Sequence, residues 1–178
     1  MTFLHDTSRS YVSLDLDGSV TIKCGVQDIG GGQASSLAQI AAEVLGVPLE
    51  AVTVYIGDSA LTPLAGTTTA TRHLYMSGNA TYKAAMAVCE NLLGKAAHIL
   101  KTAPENLDIK DREIFIKPDI GDDADRVLAL DDVVRACAAD GVQLYNVAQF
   151  NAPARELIDF QTGQGQVFAD FTFGTHAM

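Results

Sequence analysis

Apolar and polar positions alternate along Tyr11-Val-Ser-Leu-Asp-Leu16, break at Asp17-Gly18, and resume along Val20-Thr-Ile-Lys-Cys24. Alternation with period two marks a half-buried strand, and Asp-Gly between two such runs predicts a β-hairpin. After Gln33 the period changes. Leu37, Ile40, Ala41, Val44 and Leu45 recur at helical spacing, while Ser35, Ser36 and Gln39 fall off that stripe. Gly46 and Pro48 then stop the run, so a first helix is predicted over 33–45. Ala51 to Asp58 reads as the next strand. The short link before it predicts a strand–helix–strand unit with both strands in one sheet.

A polar, threonine-rich loop occupies 59–72, and a long helix is predicted from His73 to Leu100, with Gly78 and several alanines giving it a small face. Leu107–Ile109 and Glu113–Lys117 read as short strands around Lys110-Asp-Arg112, followed by a loop. Leu130–Asp140 is predicted as a third helix, with acids near its start and Gly141 past its end. Val142–Phe150 is expected to be extended, 153–165 a loop and 166–173 a closing strand. These changes of period place the chain in the α+β class, with mixed β-sheets and helices packed on them. Residues 1–178 are expected to form one unit, and a division into lobes at about 10–103 and 104–178 stays open. A chain that stops just after an apolar alternation is expected to be an excised piece of something longer.

Composition narrows the partners. Of 178 residues 48% are apolar, enough for a substantial core, and the net charge of −10 opposes binding to nucleic acid or an acidic membrane surface. The acidic run Asp119-Ile-Gly-Asp-Asp-Ala-Asp125 reads as a solvated loop. Cys24, Cys89 and Cys137 are scattered with no CxxC, which predicts reduced, buried thiols and a cytoplasmic setting. No secretory leader is recognisable at Met1-Thr-Phe-Leu-His-Asp6, and no apolar run is long enough to span a bilayer.

The chemistry gathers at two helix starts. Gly30-Gly-Gly32 precedes the first helix and Thr67–Thr71 the long one. A helix start offers unpaired N–H groups and a partial positive charge, and glycine lets a ligand approach the backbone closely. If the two preceding strands are parallel, both starts lie at one sheet edge and can share one anionic or strongly hydrogen-bonding ligand. The alternative is two ordinary helix starts, one capped by threonine and one by glycine. The glycine run is neither a Walker A sequence nor a good dinucleotide fingerprint, which speaks against a generic nucleotide-binding module. His98 is expected at the surface or in packing, and His5 and His176 near the ends. Arg72 either pins the threonine loop or meets an anion. Asp28 and Asp58 are expected as turn formers, and Tyr75 and Met76 as packing residues or as the border of a substrate channel.

Three segments resemble one family. Gln27-Asp-Ile-Gly-Gly-Gly-Gln33 with Leu37-Ala-Gln-Ile-Ala-Ala-Glu-Val-Leu-Gly-Val-Pro48, Gly57-Asp58 with Thr62-Pro63, and Gly66-Thr-Thr-Thr-Ala-Thr-Arg72 with Tyr75-Met-Ser-Gly-Asn-Ala80 are similar to the molybdopterin-binding large subunit of the xanthine dehydrogenase/aldehyde oxidase family. The likeness is specific over about 18–90 and returns at Phe168–His176. It implies a two-layer molybdenum cofactor-binding domain within a molybdenum hydroxylase. Gly30, Gly31 and Gly32 would line molybdopterin on one side, and Thr68, Thr69, Ala70 and Thr71 on the other. It further implies oxidative hydroxylation of a purine, another N-heterocycle or an aldehyde, with water as the oxygen source and a glutamate as general base. Iron–sulfur and FAD centres would sit on other subunits or domains, and the partners would be those subunits, the remainder of the molybdenum subunit and a small-molecule substrate. Two departures matter. Many members carry glutamine where this chain has Gly31. The family's catalytic glutamate lies beyond this chain, since neither Glu156 nor Asp170 matches it, so no catalytic residue and no direct metal ligand is expected here. A non-catalytic binding or scaffold domain that has lost the cofactor is the rival reading.

Overall fold

The computed structural model describes residues 6–118, 127–153 and 159–165. The predicted hairpin forms from β1, Thr7–Leu14, and β2, Val20–Cys24, paired antiparallel with Val12 opposite Ile22. The chain then runs through α1, Gln33–Leu45, to β3, Val52–Ile56. β3 lies parallel to β2, with Val20 beside Val52 and Cys24 beside Ile56, which completes the strand–helix–strand unit. β7, Tyr145–Asn151, pairs antiparallel with the other side of β1, from Thr7 opposite Asn151 to Ser13 opposite Tyr145. The resulting four-stranded sheet has the order β3-β2-β1-β7. It draws on both sides of residue 104.

The second sheet has three strands in the order β4-β5-β6. β4, Leu107–Lys110, and β5, Glu113–Ile116, are joined by Asp111 and Arg112, with φ of 51° and 63°. Positive φ at both turn residues matches the strand twist of a two-residue hairpin. β6, Val127–Ala129, pairs with β5 in a stretch the sequence assigned to loop. Three residues are too few for an alternation to show, and β6 is held by backbone pairing.

Period two along β1 and β2 turns Val12, Leu14, Val20, Ile22 and Cys24 inward. They meet the buried stripe of α1 and the alanine face of α2, Asn79–Leu100. Ile109, Ile114, Ile116 and residues of α3, Leu130–Ala139, complete one continuous core. The stripe of α1 is rotated from the predicted one. Ala38 and Ala42 are buried, whereas Ile40 and Val44 are only half-buried. All three cysteines are free and buried. The opposite face of the large sheet leaves Tyr55, Tyr145 and Val147 exposed. No described helix is long and apolar enough to cross a membrane. The predicted closing strand at 166–173, the acidic run, Glu156, Asp170, His5 and His176 lie outside the described residues.

The long helix does not begin as an α-helix. His73–Gly78 forms a π-helical turn that feeds α2. Asn79 Nδ2 donates to the Tyr75 carbonyl at 2.6 Å, a side-chain bond across the junction of the wider turn and α2. A buried hydroxyl seam seats this turn on the sheet: Ser8 Oγ meets Ser77 Oγ at 2.8 Å, and Thr81 Oγ1 donates to Ser10 Oγ at 2.9 Å.

Candidate functional site

Because β2 and β3 are parallel neighbours in register, their C-terminal ends lie at the same sheet edge. The glycine-bearing loop leaves β2 there, and the threonine-bearing loop leaves β3 there. Gly25 N–H donates to the Pro63 carbonyl at 3.1 Å, and Gln27 N–H donates to Thr68 Oγ1 at 2.9 Å. The Gln27 amide reaches the Gly57 carbonyl at 3.4 Å. A cavity of about 190 Å³ lies between them, lined by Gln27, Ser59, Thr62 and Leu64 among others. The two loops are therefore stitched to each other as well as to the sheet.

Gly30 and Gly32 have φ of 98° and 71°, values that ordinary side chains rarely adopt. Both are exposed, and a Cβ built on either would meet nothing within 4 Å. The turn is thus a bare backbone surface open to an outside group. Helix α1 starts with no side-chain cap and no acid in its first turn, so its leading N–H groups remain available there. Two glycine N–H groups are already engaged, however. Asp28 Oδ1 accepts from Gly30 N–H at 2.8 Å, and Gln33 Oε1 accepts from Gly31 N–H at 3.1 Å. Asp28 acts as the turn former expected of it. Gln33 was not anticipated: it is buried, and its amide folds back over Gly31, in the space a side chain at 31 would enter. A polar residue in the first turn, directly after the glycines, was the available signal.

Thr68, Thr69 and Thr71 are half-buried, and Ala70 is exposed with φ of 42°. Their loop is wrapped around one guanidinium. Arg72 Nε and Nη2 take the two Asp6 carboxylate oxygens at 2.7 and 2.5 Å. Nη1 donates to the Thr67 carbonyl at 2.5 Å, and Nη2 to the Ala65 and Thr7 carbonyls, each at 3.2 Å. The planar fork of arginine suits such a divided set of acceptors. Arg72 therefore pins the threonine loop to the start of β1. Gly66, at φ of 74°, lets the chain pass the guanidinium, and a Cβ there would collide with Nη2.

His73 follows immediately and is buried, with neither ring nitrogen hydrogen-bonded. Burial pushes its pKa down, Asp28 on the glycine loop pulls it up, and Arg72 pushes it down again. Asp58 is a turn former, accepting from Ala60 N–H at 2.8 Å, while its carbonyl accepts from Thr62 Oγ1 at 2.6 Å. His98 is exposed, Met76 is buried, and Tyr75 sits edge-on to Phe150. A larger cleft of about 820 Å³ lies at the far end of α1, between Glu43, Gly46 and the β4–β5 turn, away from both loops. Among the described residues no three His, Cys, Asp or Glu side chains gather as a metal site. The donors at the sheet edge are backbone N–H groups and hydroxyls, a set suited to an organic ligand with many polar atoms.

Two loops that leave neighbouring parallel strands at one edge, and are joined there, form the kind of crevice in which sheets with helical crossovers bind ligands. Residues 1–178 match the family described as the molybdopterin cofactor-binding domain, and the chain belongs to that family. It is 36% identical over 107 residues to the nicotine 6-hydroxylase large subunit of Paenarthrobacter nicotinovorans, covering 60% of this chain and 13% of that protein. It is 48% identical over 63 residues to the aldehyde oxidoreductase molybdenum-binding subunit PaoC of Escherichia coli K12, covering 35% of this chain and 9% of that subunit. Among solved structures it resembles quinoline 2-oxidoreductase from Pseudomonas putida 86 with a TM-score of 0.75 and 27% identity, covering 84% of this chain and 19% of that one. The matched region is therefore a small part of each relative's length.

Proposed function

We propose that this chain forms one wall of the molybdenum cofactor site in a molybdenum hydroxylase. Gly30, Gly31 and Gly32 line molybdopterin from one side, and Thr68, Thr69, Ala70 and Thr71 from the other. The observation that carries this reading is the Gln27–Thr68 bond, which joins the two loops at the shared edge of β2 and β3. The residues fit such a group. The glycine turn is open backbone, the helix start is uncapped, the threonines are only half-buried, and a buried imidazole nearby lacks partners. A net charge of −10 does not oppose an anionic ligand held locally by N–H dipoles, because that interaction acts at contact while charges beyond about a Debye length are screened by salt.

When bound, the cofactor supplies the redox chemistry that lets a ring carbon or an aldehyde carbon be oxidised with oxygen taken from water. The chain's own residues bind and orient. Backbone N–H groups at the start of α1 offer fixed dipoles to oxyanions, and the threonine hydroxyls supply adaptable donors and acceptors. Arg72 holds the threonine loop in shape before the ligand arrives, so less ordering remains to be done on binding. The similarity to enzymes named for nicotine, quinoline and aldehydes favours a small N-heterocycle or aldehyde as substrate. Iron–sulfur and FAD centres, the remainder of the molybdenum subunit and a cytoplasmic setting complete the proposal.

Molybdenum and pterin analysis of the full-length subunit, co-expressed with its partner subunits, tests this reading. About one molybdenum per subunit is expected. A correctly folded subunit with none would instead mark a scaffold domain that has lost the cofactor. Bulky replacements at Thr69 and Thr71 are expected to lower cofactor retention well below that of the same replacement at exposed Thr53 on β3. Equal retention would remove the threonine loop from the site.

A further inference from the structure

We propose that His73 is itself a ligand-binding residue of this site: an imidazole at the end of the threonine loop, whose donor and acceptor are taken up by polar atoms of the bound molybdopterin. The inference rests on the cofactor reading above and adds a residue to it.

His73 is only 3% exposed, and both of its ring nitrogens are covered without a hydrogen-bond partner. Other buried polar side chains of the chain behave differently. Ser8 and Ser77 pair with each other, Thr81 pairs with Ser10, Gln33 accepts from Gly31, and Arg72 is held by Asp6 and three carbonyls. Among the described residues the unpaired ring is thus an exception in a well-satisfied interior. A neutral imidazole carries one donor and one acceptor, and burying either without a partner shifts a folding equilibrium by roughly tenfold or more. Native interiors seldom leave such groups alone, and those that remain point to a missing partner.

The position of the ring says which partner. His73 is the residue after Arg72, where the threonine loop ends, and it feels the charge of Asp28 on the glycine turn. It opens the π-helical turn, which packs against α1, the helix that the glycine turn begins. An uncharged group that both donates and accepts is matched to a pterin ring, whose edge alternates N–H and C=O or ring nitrogen. The ring is fully covered in the free chain, so the contact forms with a rearrangement of the segments around it.

The experiment uses the full-length subunit co-expressed with its partners, in wild-type, His73→Leu and His73→Gln forms. Each is prepared cofactor-free, from a host that cannot make the pterin, and cofactor-loaded. Two quantities are read: the thermal midpoint of the cofactor-free subunit, and the half-time of pterin loss after dilution, followed by the fluorescence of released, oxidised pterin. For His73→Leu the two are expected to move in opposite directions. Removing an unpaired buried ring leaves the cofactor-free midpoint equal or higher, while loss of a hydrogen bond to the ligand shortens retention about tenfold. His73→Gln, which keeps a donor and an acceptor, recovers part of the retention. If His73→Leu lowers the cofactor-free midpoint and leaves retention unchanged, the ring is an ordinary core residue and the proposal falls, with the cofactor reading intact. If retention is unchanged and the midpoint rises, the proposal falls as well. If the wild-type subunit loads no pterin, both readings fall together.

Discussion

Replacing Arg72 by leucine removes the group around which the threonine loop is built, and the size of the effect can be worked from its contacts. The Arg72 side chain is 5% exposed and its Asp6 partner 11%, so water screens the pair weakly. Leucine leaves both Asp6 oxygens and the carbonyls of Thr7, Ala65 and Thr67 without their donors. Breaking one side of a buried ion pair costs about 3–5 kcal/mol, because the remaining charge stays poorly solvated. Each abandoned neutral carbonyl adds about 0.5–1.5 kcal/mol, less whatever water recovers as the loop opens. Since the loop can relax toward solvent, the expected loss is about 3–5 kcal/mol in total, a large share of the roughly 5–15 kcal/mol that holds a domain together. Arg72→Lys keeps the charge but not the fork, and is expected to lose about half as much. Urea unfolding of the 178-residue chain, followed by circular dichroism, measures both. A double-mutant cycle with Asp6→Asn is expected to give a coupling above about 1 kcal/mol. If Arg72→Leu unfolds within about 1 kcal/mol of wild type, the guanidinium does not organise the loop, and the argument for a pre-shaped cofactor wall loses its main support.

Two further outcomes follow from the same geometry. Gly66→Ala places a Cβ against Arg72 Nη2 in a left-handed backbone conformation, and is expected to destabilise the chain by about 2 kcal/mol. Gly30→Ala has only the backbone cost of about 1 kcal/mol, because nothing lies within 4 Å of its Cβ. Comparable urea midpoints for the two variants would contradict this ordering. Burial pushes the Cys89 thiol from 9.0 up to about 11, so folding favours its protonated form. The stability this contributes is fully present below about pH 9 and is lost as pH rises through about 11. Cys24 and Cys137 shift in the same direction, chiefly by burial. All three thiols are therefore expected to resist Ellman's reagent at pH 8 until denaturant is added, and rapid labelling of Cys89 in the native chain would contradict the burial.

Much of the architecture was legible because it is written locally. Gly25 to Gly46 carries a strand exit, a glycine turn, an amphipathic run and a stop within a few turns of chain, and α1 spans 33–45 as its periodicity predicts. Leu107 to Lys117 shows two short strand-like runs around Lys110-Asp-Arg112, which the structure pairs as a hairpin. What escaped was set by distant partners or by size. Alanine reads as weakly apolar wherever it stands, so the sequence did not show that Ala38 and Ala42 face the core while Ile40 and Val44 stand half out. The π-helical turn at 73–78 and the start of α2 are seated on the sheet by the Ser8–Ser77 and Ser10–Thr81 bonds, whose members are 69 and 71 residues apart. β6 is too short to announce itself.

The candidate site divides in the same way. By itself the sequence determined that a glycine turn and a threonine loop each precede a helix, because glycine, threonine and helical periodicity act within a few residues. It also carried the family likeness. Only the tertiary structure decided that the two loops share an edge, since that follows from the parallel pairing of β2 with β3. Only the tertiary structure joined Asp6 to Arg72 across 66 residues, folded Gln33 over Gly31, and left His73 buried without a partner. Hydrogen bonds act over about 3 Å and say nothing about separation along the chain, so their partners become known once packing has brought them together.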